Sequence, residues 1–331
     1  MIEEKILSLF GSKPGGVLRA RQIRKSLGIS HVGLLETLAR LGQEGYVLSF
    51  IPPDGYRLDG RPDLLTAREI RLGLKANYIG RKIYSFTETD STNTTAYKLA
   101  SAGAPEGTVV VSERQHNGRG RLGRRWESPA FLNIYLSVIL RPRIVPTSAH
   151  LVTLLAAVAA VRAIRNETRL SPRLRWPNDI LLGGKKVGGV LVEQCLEGRR
   201  TKFLVVGVGL NVNAAEADFS AGLHQRVSSL MEQGRRPYSR SLLVKSLFWE
   251  LERAYGEFQQ GKVEGLIEEW ERLSDINGRS VVLHLHSGAL LGVPLGLDQE
   301  GTLLVRSNGG QLHTFSAGEI IKLELADVAS Y

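Results

Sequence analysis

Cysteine is almost absent from this 331-residue chain. Cys195 stands alone, which excludes an intramolecular disulfide and any multi-cysteine zinc site. Cys195 lies in the apolar run 190–196, and that context predicts a buried, inert thiol. Aromatic residues are few, at 7%, and acidic residues fall short of basic ones, 33 against 43, leaving a formal net charge of +10. Such a balance favours a polyanionic partner: nucleic acid, nucleotide or acidic protein. No apolar run approaches the roughly 20 residues of a membrane span; the longest, 151–161, reads as a buried helix. The stretch 1–5 is acidic and has no apolar signal core, so a cytoplasmic protein with no membrane partner is expected. Internal repeats, low-complexity tracts, a nucleophile elbow, a Walker loop and an HExxH helix are all missing. His284 and His286 would share a strand face, but neither carboxylate nor cysteine is near them in sequence, which argues against a metal site there.

What is present falls into three zones. Residues 1–63 begin with an amphipathic helix carrying Ile2, Ile6, Leu7, Leu9 and Phe10, then a short helix at 20–27. The turn Gly28-Ile29-Ser30 lets Ser30 cap a third helix, 31–43, with Leu34, Leu35, Leu38 and Leu41 as its buried face. Strands at 46–50 and 56–58 flank Pro52-Pro53-Asp54-Gly55, a strong turn signal. This order predicts a winged helix-turn-helix that meets DNA through its third helix and wing; the alternative is a protein-contact module. Residues 64–274 alternate strands and helices, with a half-buried strand over 132–140, a hairpin about Gly183-Gly184, a buried strand over 203–210 and helices over 241–258 and 263–273. An α+β domain with a large mixed sheet follows. Residues 275–331 turn to short strands at 280–286, 290–297, 302–305, 311–315 and 320–323, as in a small β-barrel.

Five segments carry the polar and glycine residues a site needs, each near the end of an expected strand. The richest is Gln115-His116-Asn117-Gly118-Arg119-Gly120-Arg121-Leu122-Gly123-Arg124-Arg125-Trp126. Glycines let backbone amides approach a phosphate, and arginines offer planar, permanently charged forks. An RNA-binding loop would also mix Gly with Arg. The spacing Gly118-x-Gly120-x-x-Gly123 fits a dinucleotide motif, but no helical pattern follows it. The others are Asp90-Ser91-Thr92-Asn93, Arg175-Trp176-Pro177-Asn178-Asp179, Lys185-Lys186-Val187-Gly188-Gly189 and Gly207-Val208-Gly209-Leu210-Asn211. Each has a plain structural alternative. Ser91 and Thr92 could be a helix cap, Lys185 and Lys186 a solvated hairpin tip, Trp176 core, and Gly207 and Gly209 close-packing glycines in a strand.

Taken together, these segments resemble the biotin protein ligases. Residues 118–126 look like their GRGRxGRxW signature, and 175–179 with 186–193 like their (K/R)WPND…KxxGxLxE segment. Residues 90–93 match DSTN and 207–211 match GxGxN, in the same order and spacing. The N-terminal and C-terminal zones fit the bifunctional ligase/repressor type, so the resemblance spans nearly the whole chain.

It implies a central ligase domain of the class II aminoacyl-tRNA synthetase/biotin synthetase type and a C-terminal SH3-like barrel. The activity implied is formation of biotinyl-5′-adenylate from biotin and ATP with Mg2+, then transfer to a lysine of the biotin carboxyl carrier protein of acetyl-CoA carboxylase. By the same resemblance Lys186, Arg119 and Arg121 are catalytic. Ser91, Thr92, Asn93, Gln115, Gly120, Gly207 and Gly209 join them at biotin, while Gly118, Arg124, Trp126, Asp179 and Asn211 serve the adenylate. No metal is fixed by protein alone; Mg2+ comes with ATP, and Asp179 is the candidate to contact it or to orient Lys186. Operator DNA would meet Ser30, His31, Arg40 and Arg57, and a homodimer would form with the adenylate bound. Two departures stand out. Residues 214–226 lack a tryptophan to stack on adenine, leaving Phe219 as the substitute, and the third helix is poor in Lys and Arg and carries Glu36, which repels phosphate.

Overall fold

The computed structural model describes residues 2–13 and 15–326; the last five residues of the expected C-terminal zone lie outside these. The chain divides into two compact units, Met1–Lys75 and Ala76–Tyr331.

The first unit runs α1 (Ile2–Gly11), β1 (Leu18–Arg19), α2 (Ala20–Leu27), α3 (His31–Gln43), β2 (Val47–Ile51), β3 (Gly55–Gly60) and α4 (Ala67–Arg71). Ser30 Oγ accepts from the Gly33 amide at 3.0 Å and so starts α3, while α2 ends on Gly28 in the left-handed region, φ 65°. Ile6, Leu7, Phe10, Ile23, Leu34, Leu38 and Leu41 form the core. Leu35 does not share the buried face expected of it; it is exposed, and Thr37 takes the inward position. Residues 34, 38 and 41 follow the helical period, and 35 steps off that stripe by a full 100° or so. Three strands, β1, β3 and β2 in that order, complete an antiparallel sheet. The unit extends beyond the Arg61-Pro62-Asp63 segment because α4 is anchored to it: Tyr46 Oη donates to buried Glu69, and Leu72 packs on the core.

The second unit holds β4 (Ile83–Thr89), α5 (Thr92–Ser101), β5 (Val109–Gln115), β6 (Ile134–Leu140), α6 (Ala149–Thr168), β7 (Arg173–Arg175), β8 (Asp179–Leu182), β9 (Lys185–Glu197) and β10 (Arg200–Leu210). Its helices α7 (Leu230–Gly234), α8 (Arg240–Gln259) and α9 (Glu264–Leu273) follow, then β11 (Val281–Leu285), β12 (Gly288–Leu297), β13 (Leu303–Ser307), β14 (Leu312–Phe315) and β15 (Ile320–Leu325). A seven-stranded mixed sheet has the order β4-β5-β6-β10-β9-β8-β7; only β4 and β5 are parallel, joined through α5. The last five strands form an antiparallel sheet in the order β14-β13-β12-β11-β15.

Strand β6 is buried at all seven positions, not half-buried. Helix α5 covers one face of the sheet, where Val110, Ile139, Phe203 and Val205 pack. Side-chain alternation sends Val109, Val138 and Val206, equally buried, to the opposite face. The span Pro146–Thr168, which includes α6, is long and apolar enough to cross a membrane, but 67% of its most apolar window is buried inside the fold, the mark of a core helix. Cys195 is half-buried rather than sealed in the core. It sits on the far half of β9, which pairs with β10 but not with β8.

Candidate active site

Helix α5 starts at the end of β4, and its first turn meets the end of β5. Thr92 donates to Gln115 Oε1 from its amide at 2.9 Å and from its hydroxyl at 3.1 Å. Ser91 occupies the cap position yet makes no side-chain cap bond. The residue is buried and lines a cavity, so the plain capping role does not account for it. Asn93 lies against β6 and β10: Ser137 Oγ donates to Asn93 Oδ1 at 2.6 Å and also lies 2.8 Å from Thr92 Oγ1. Gly207 permits this approach. A Cβ there would stand 2.9 Å from Asn93 Cγ and 3.0 Å from Nδ2, closer than real Cβ contacts come.

The glycine–arginine segment folds back on itself. The Trp126 amide donates to the Gly118 carbonyl at 2.8 Å and the Gly120 amide to the Arg124 carbonyl at 2.7 Å, making a small pinned loop. Gly118 is therefore its neck and not a wall of the cavity. Trp126 lies flat against β10, where a Cβ on Gly209 would come within 2.7 Å of its ring. Lys186, from the start of β9, is held by Asp179 at 2.5 Å, with its ammonium 5.4 Å from the Trp126 ring centroid. It is not a free hairpin tip; its amide also donates to the Arg226 carbonyl at 2.8 Å.

These groups line one cavity of about 740 Å³. Ser91, Thr92, Asn93, Gln115, Gly207 and Gly209 line it together with Arg119, Gly120, Arg121, Arg124, Trp126, Asp179, Lys186 and Asn211. Phe219 and Leu223 add an apolar wall. Ser30, His31, Arg40 and Arg57 belong to the other unit. Trp176, read as possible core, is buried and also borders the cavity. Among the described residues, Trp126 Nε1 and Asn211 Oδ1 are buried with no hydrogen-bond partner. Unpaired polar atoms in a lined cavity mark places where a ligand can supply the missing bond.

Arg119, Arg121 and Arg124, like Lys186, are each held by a protein oxygen. Arg119 donates to Glu193 at 2.9 Å. Arg121 reaches the carbonyls of Ala317 and Ile320, and Arg124 that of Ile321 at 3.0 Å, all in or beside β15. Burial lowers the Arg121 pKa from its ordinary value, with the Asp179 charge opposing. Ser137 and the 317–321 turn carried no signal in the sequence, the turn lying 196 or more residues from the loop it holds; Glu193 closes the motif over 186–193 but had no role assigned to it there.

A helix start, a basic glycine loop and an anchored lysine over a mixed sheet define a site for joining two anions. Residues 85–211 match the model of the biotin/lipoate A/B protein ligase family. The chain is 32% identical to the bifunctional ligase/repressor BirA of Bacillus subtilis (strain 168), over 96% of this chain and 97% of that one. It is 29% identical to BirA of Escherichia coli (strain K12), over 92% of each. The biotin protein ligase from Aquifex aeolicus, solved in complex with biotin and ATP, superposes with a TM-score of 0.64 at 27% identity, covering 74% of this chain and all of that one. The chain belongs to the biotin protein ligase family, and its activity is that of a biotin–[acetyl-CoA-carboxylase] ligase.

Proposed function

We propose that the cavity binds biotin and MgATP side by side and couples them as biotinyl-5′-adenylate. Biotin's ureido ring lies at Ser91, Thr92 and Gln115, with Asn93 and the backbone at Gly207 and Gly209 beside it. Its apolar tail runs along Trp126 toward Lys186. The carboxylate oxygen attacks the α-phosphorus, the bond from that phosphorus to the bridging oxygen breaks, and pyrophosphate leaves with the electron pair. Two anions meet in this step, so positioned positive charge is the main help a protein can give. Lys186 sits between the carboxylate and α-phosphate, and Arg119 and Arg121 wrap the acyl phosphate, with Gly120 keeping the loop between them close to it. Asp179 orients Lys186. Arg124 and Asn211 flank the nucleotide, and Phe219 serves as the adenine wall. Mg2+ enters with ATP as part of the substrate, with Asp179 as its candidate protein contact.

In the second step the amine of a lysine on the biotin carboxyl carrier protein attacks the acyl carbonyl and AMP leaves. No protein nucleophile is needed, but water must be kept out, and the pinned loop is placed to do that. The observation that carries this reading is Lys186, fixed by Asp179 at 2.5 Å, in one cavity with both arginines and the α5 start. The test is labelled biotin transfer to a carrier domain with MgATP. Lys186→Ala and Arg121→Ala are each expected to lose at least about tenfold; unchanged rates in both would remove the site assignment.

We extend the proposal to a cytoplasmic, biotin-responsive repressor that dimerises with the adenylate bound. The first unit is then a winged helix and the C-terminal sheet an SH3-like module. On α2, Arg21, Arg24 and Lys25 are exposed and share one helical face, an array suited to phosphates. Ser30 and His31 lead the helix that reads bases. A ligase without operator binding is favoured by three observations: Arg40 pairs with Glu3 at 3.1 Å, Arg57 with Asp59 at 2.5 Å, and α3 exposes Val32 and Leu35. Binding of a randomised duplex pool at two salt concentrations, with and without biotinyl-adenylate, decides between them. Phosphate contact weakens steeply as salt rises.

A further inference from the structure

We propose that Glu193 is a positioning residue that ties occupancy of the vitamin pocket to the lid arginine, Arg119; this rests on the ligase reading above. Glu193 lies on β9 opposite Val205, two residues from Leu191, which faces Gly207. That parity points its side chain to the α5 face of the sheet, toward Asn93. One carboxylate oxygen, Oε2, accepts from Asn93 Nδ2 at 2.8 Å and from Arg119 Nη2 at 2.9 Å. A single atom thus joins the pocket floor to the loop.

The contact continues inward. Asn93 is held by Ser137, Ser137 touches Thr92, and Thr92 donates to Gln115. Hydrogen bonds, joined by the 2.8 Å contact between the Ser137 and Thr92 hydroxyls, whose protons go to Asn93 and Gln115, link the proposed ureido pocket to the guanidinium that receives phosphate. Asn93 is buried, and its carboxamide stands over Gly207. Glu193 and Arg119 are only partly shielded, with side chains 28% and 44% exposed, so their ion pair is weak enough to exchange.

Charge fixes the direction of the effect. A carboxylate left bare beside two incoming anions opposes both, and Arg119 cancels it in the free site. When a phosphate takes Arg119, Glu193 keeps only the Asn93 amide as a donor. A pocket filled with biotin holds Asn93 in place and so sustains that last bond, which makes release of Arg119 easier. Biotin should therefore tighten nucleotide binding, and Glu193 should carry that effect. A residue that merely supported the fold would change melting temperature without changing the linkage between ligands.

The experiment measures the affinity of full-length protein for α,β-methylene-ATP with Mg2+, with and without saturating biotin. In the unaltered protein the ratio should be at least about fivefold, within the usual range of ligand coupling. In Glu193→Ala it should fall to within about twofold of unity. Glu193→Gln retains an acceptor for Asn93 but not the charge on Arg119, so biotin affinity should recover while the ratio stays low. Introduced into Arg119→Ala, Glu193→Gln should change the ratio no further. A ratio unchanged in both Glu193 variants, or absent from the unaltered protein, overturns the inference while leaving the ligase reading intact. Failure to form any adenylate would overturn that reading instead. If the alanine variant melts early, the glutamine variant, close in shape, decides alone.

Discussion

Gly207→Ala tests the close approach on which the pocket floor depends. The backbone at Gly207 is ordinary strand, so the added methyl costs nothing in dihedral strain; the whole effect is contact. Its Cβ would stand 2.9 Å from Asn93 Cγ. If Asn93 holds its ground, the overpacking costs about 1–3 kcal/mol. If it swings away, it forfeits the Ser137 bond at 2.6 Å and the Glu193 bond at 2.8 Å. One is a neutral bond, worth about 1 kcal/mol, and the other is charge-assisted, worth about 1.5–3 kcal/mol. The two routes together bracket a loss of about 1–4 kcal/mol. At ~2–4 °C per kcal/mol for a unit of this size, the melting temperature should fall by about 2–16 °C. Biotin affinity should drop with it. Asn93→Ala removes the obstructing carboxamide, so adding Gly207→Ala in that background should cost less than about 0.5 kcal/mol. Urea titration of the four proteins gives the cycle. Equal cost of Gly207→Ala in both backgrounds would refute the reasoning.

Arg240 is fully buried and donates to Glu113 at 2.5 Å and to the Asn133 carbonyl at 3.1 Å; Arg240→Ala should destabilise by about 3–5 kcal/mol in urea, because it strands a buried carboxylate. Replacing both members with Met and Gln should recover most of that loss, and no recovery would mean that the other contacts of Arg240 matter more than the pair. Burial pushes the Glu252 carboxyl up, but the amides of Ile79, Tyr78 and Asn77 together outweigh it and hold its pKa below the ordinary carboxylate value. A depressed folded pKa contributes stability above the unfolded value, lost as pH falls through the folded one. Glu252→Gln should thus lower the melting temperature at pH 7, and the gap should narrow only as pH falls below the ordinary carboxylate value and through the depressed folded one; a constant gap would contradict this. Trypsin should cleave within 119–125 faster in free protein than with biotin and ATP bound, and equal rates would argue against a closing loop.

Much of the architecture could be read from the chain because it was written locally. Ser30 capping α3, the Gly28 stop and the alternation in the last five strands each act over a few residues. The site residues were legible because glycine and arginine at strand ends have few other uses. Strand β6 shows where local reading misled. Its polar positions suggested a wet face, yet Ser137 points into the pocket network and Tyr135 donates to the Pro129 carbonyl at 3.0 Å. Alternation distinguishes two faces of a strand; it does not say whether the polar one meets water or a ligand. Cys195 misled in the opposite way, since an apolar run does not show that a strand's neighbour stops short. Glu193 and the 317–321 carbonyls act through contacts 74 to 199 residues away in sequence, beyond the reach of any window.

The carbonyls that seat Arg121 lie 196 and 199 residues beyond it along the chain. A cut between the seven-stranded sheet and residue 317 would leave every strand of that sheet in place and still remove what holds the far side of the basic loop. Damage to the C-terminal sheet therefore reaches the cavity from a distance, through two backbone oxygens.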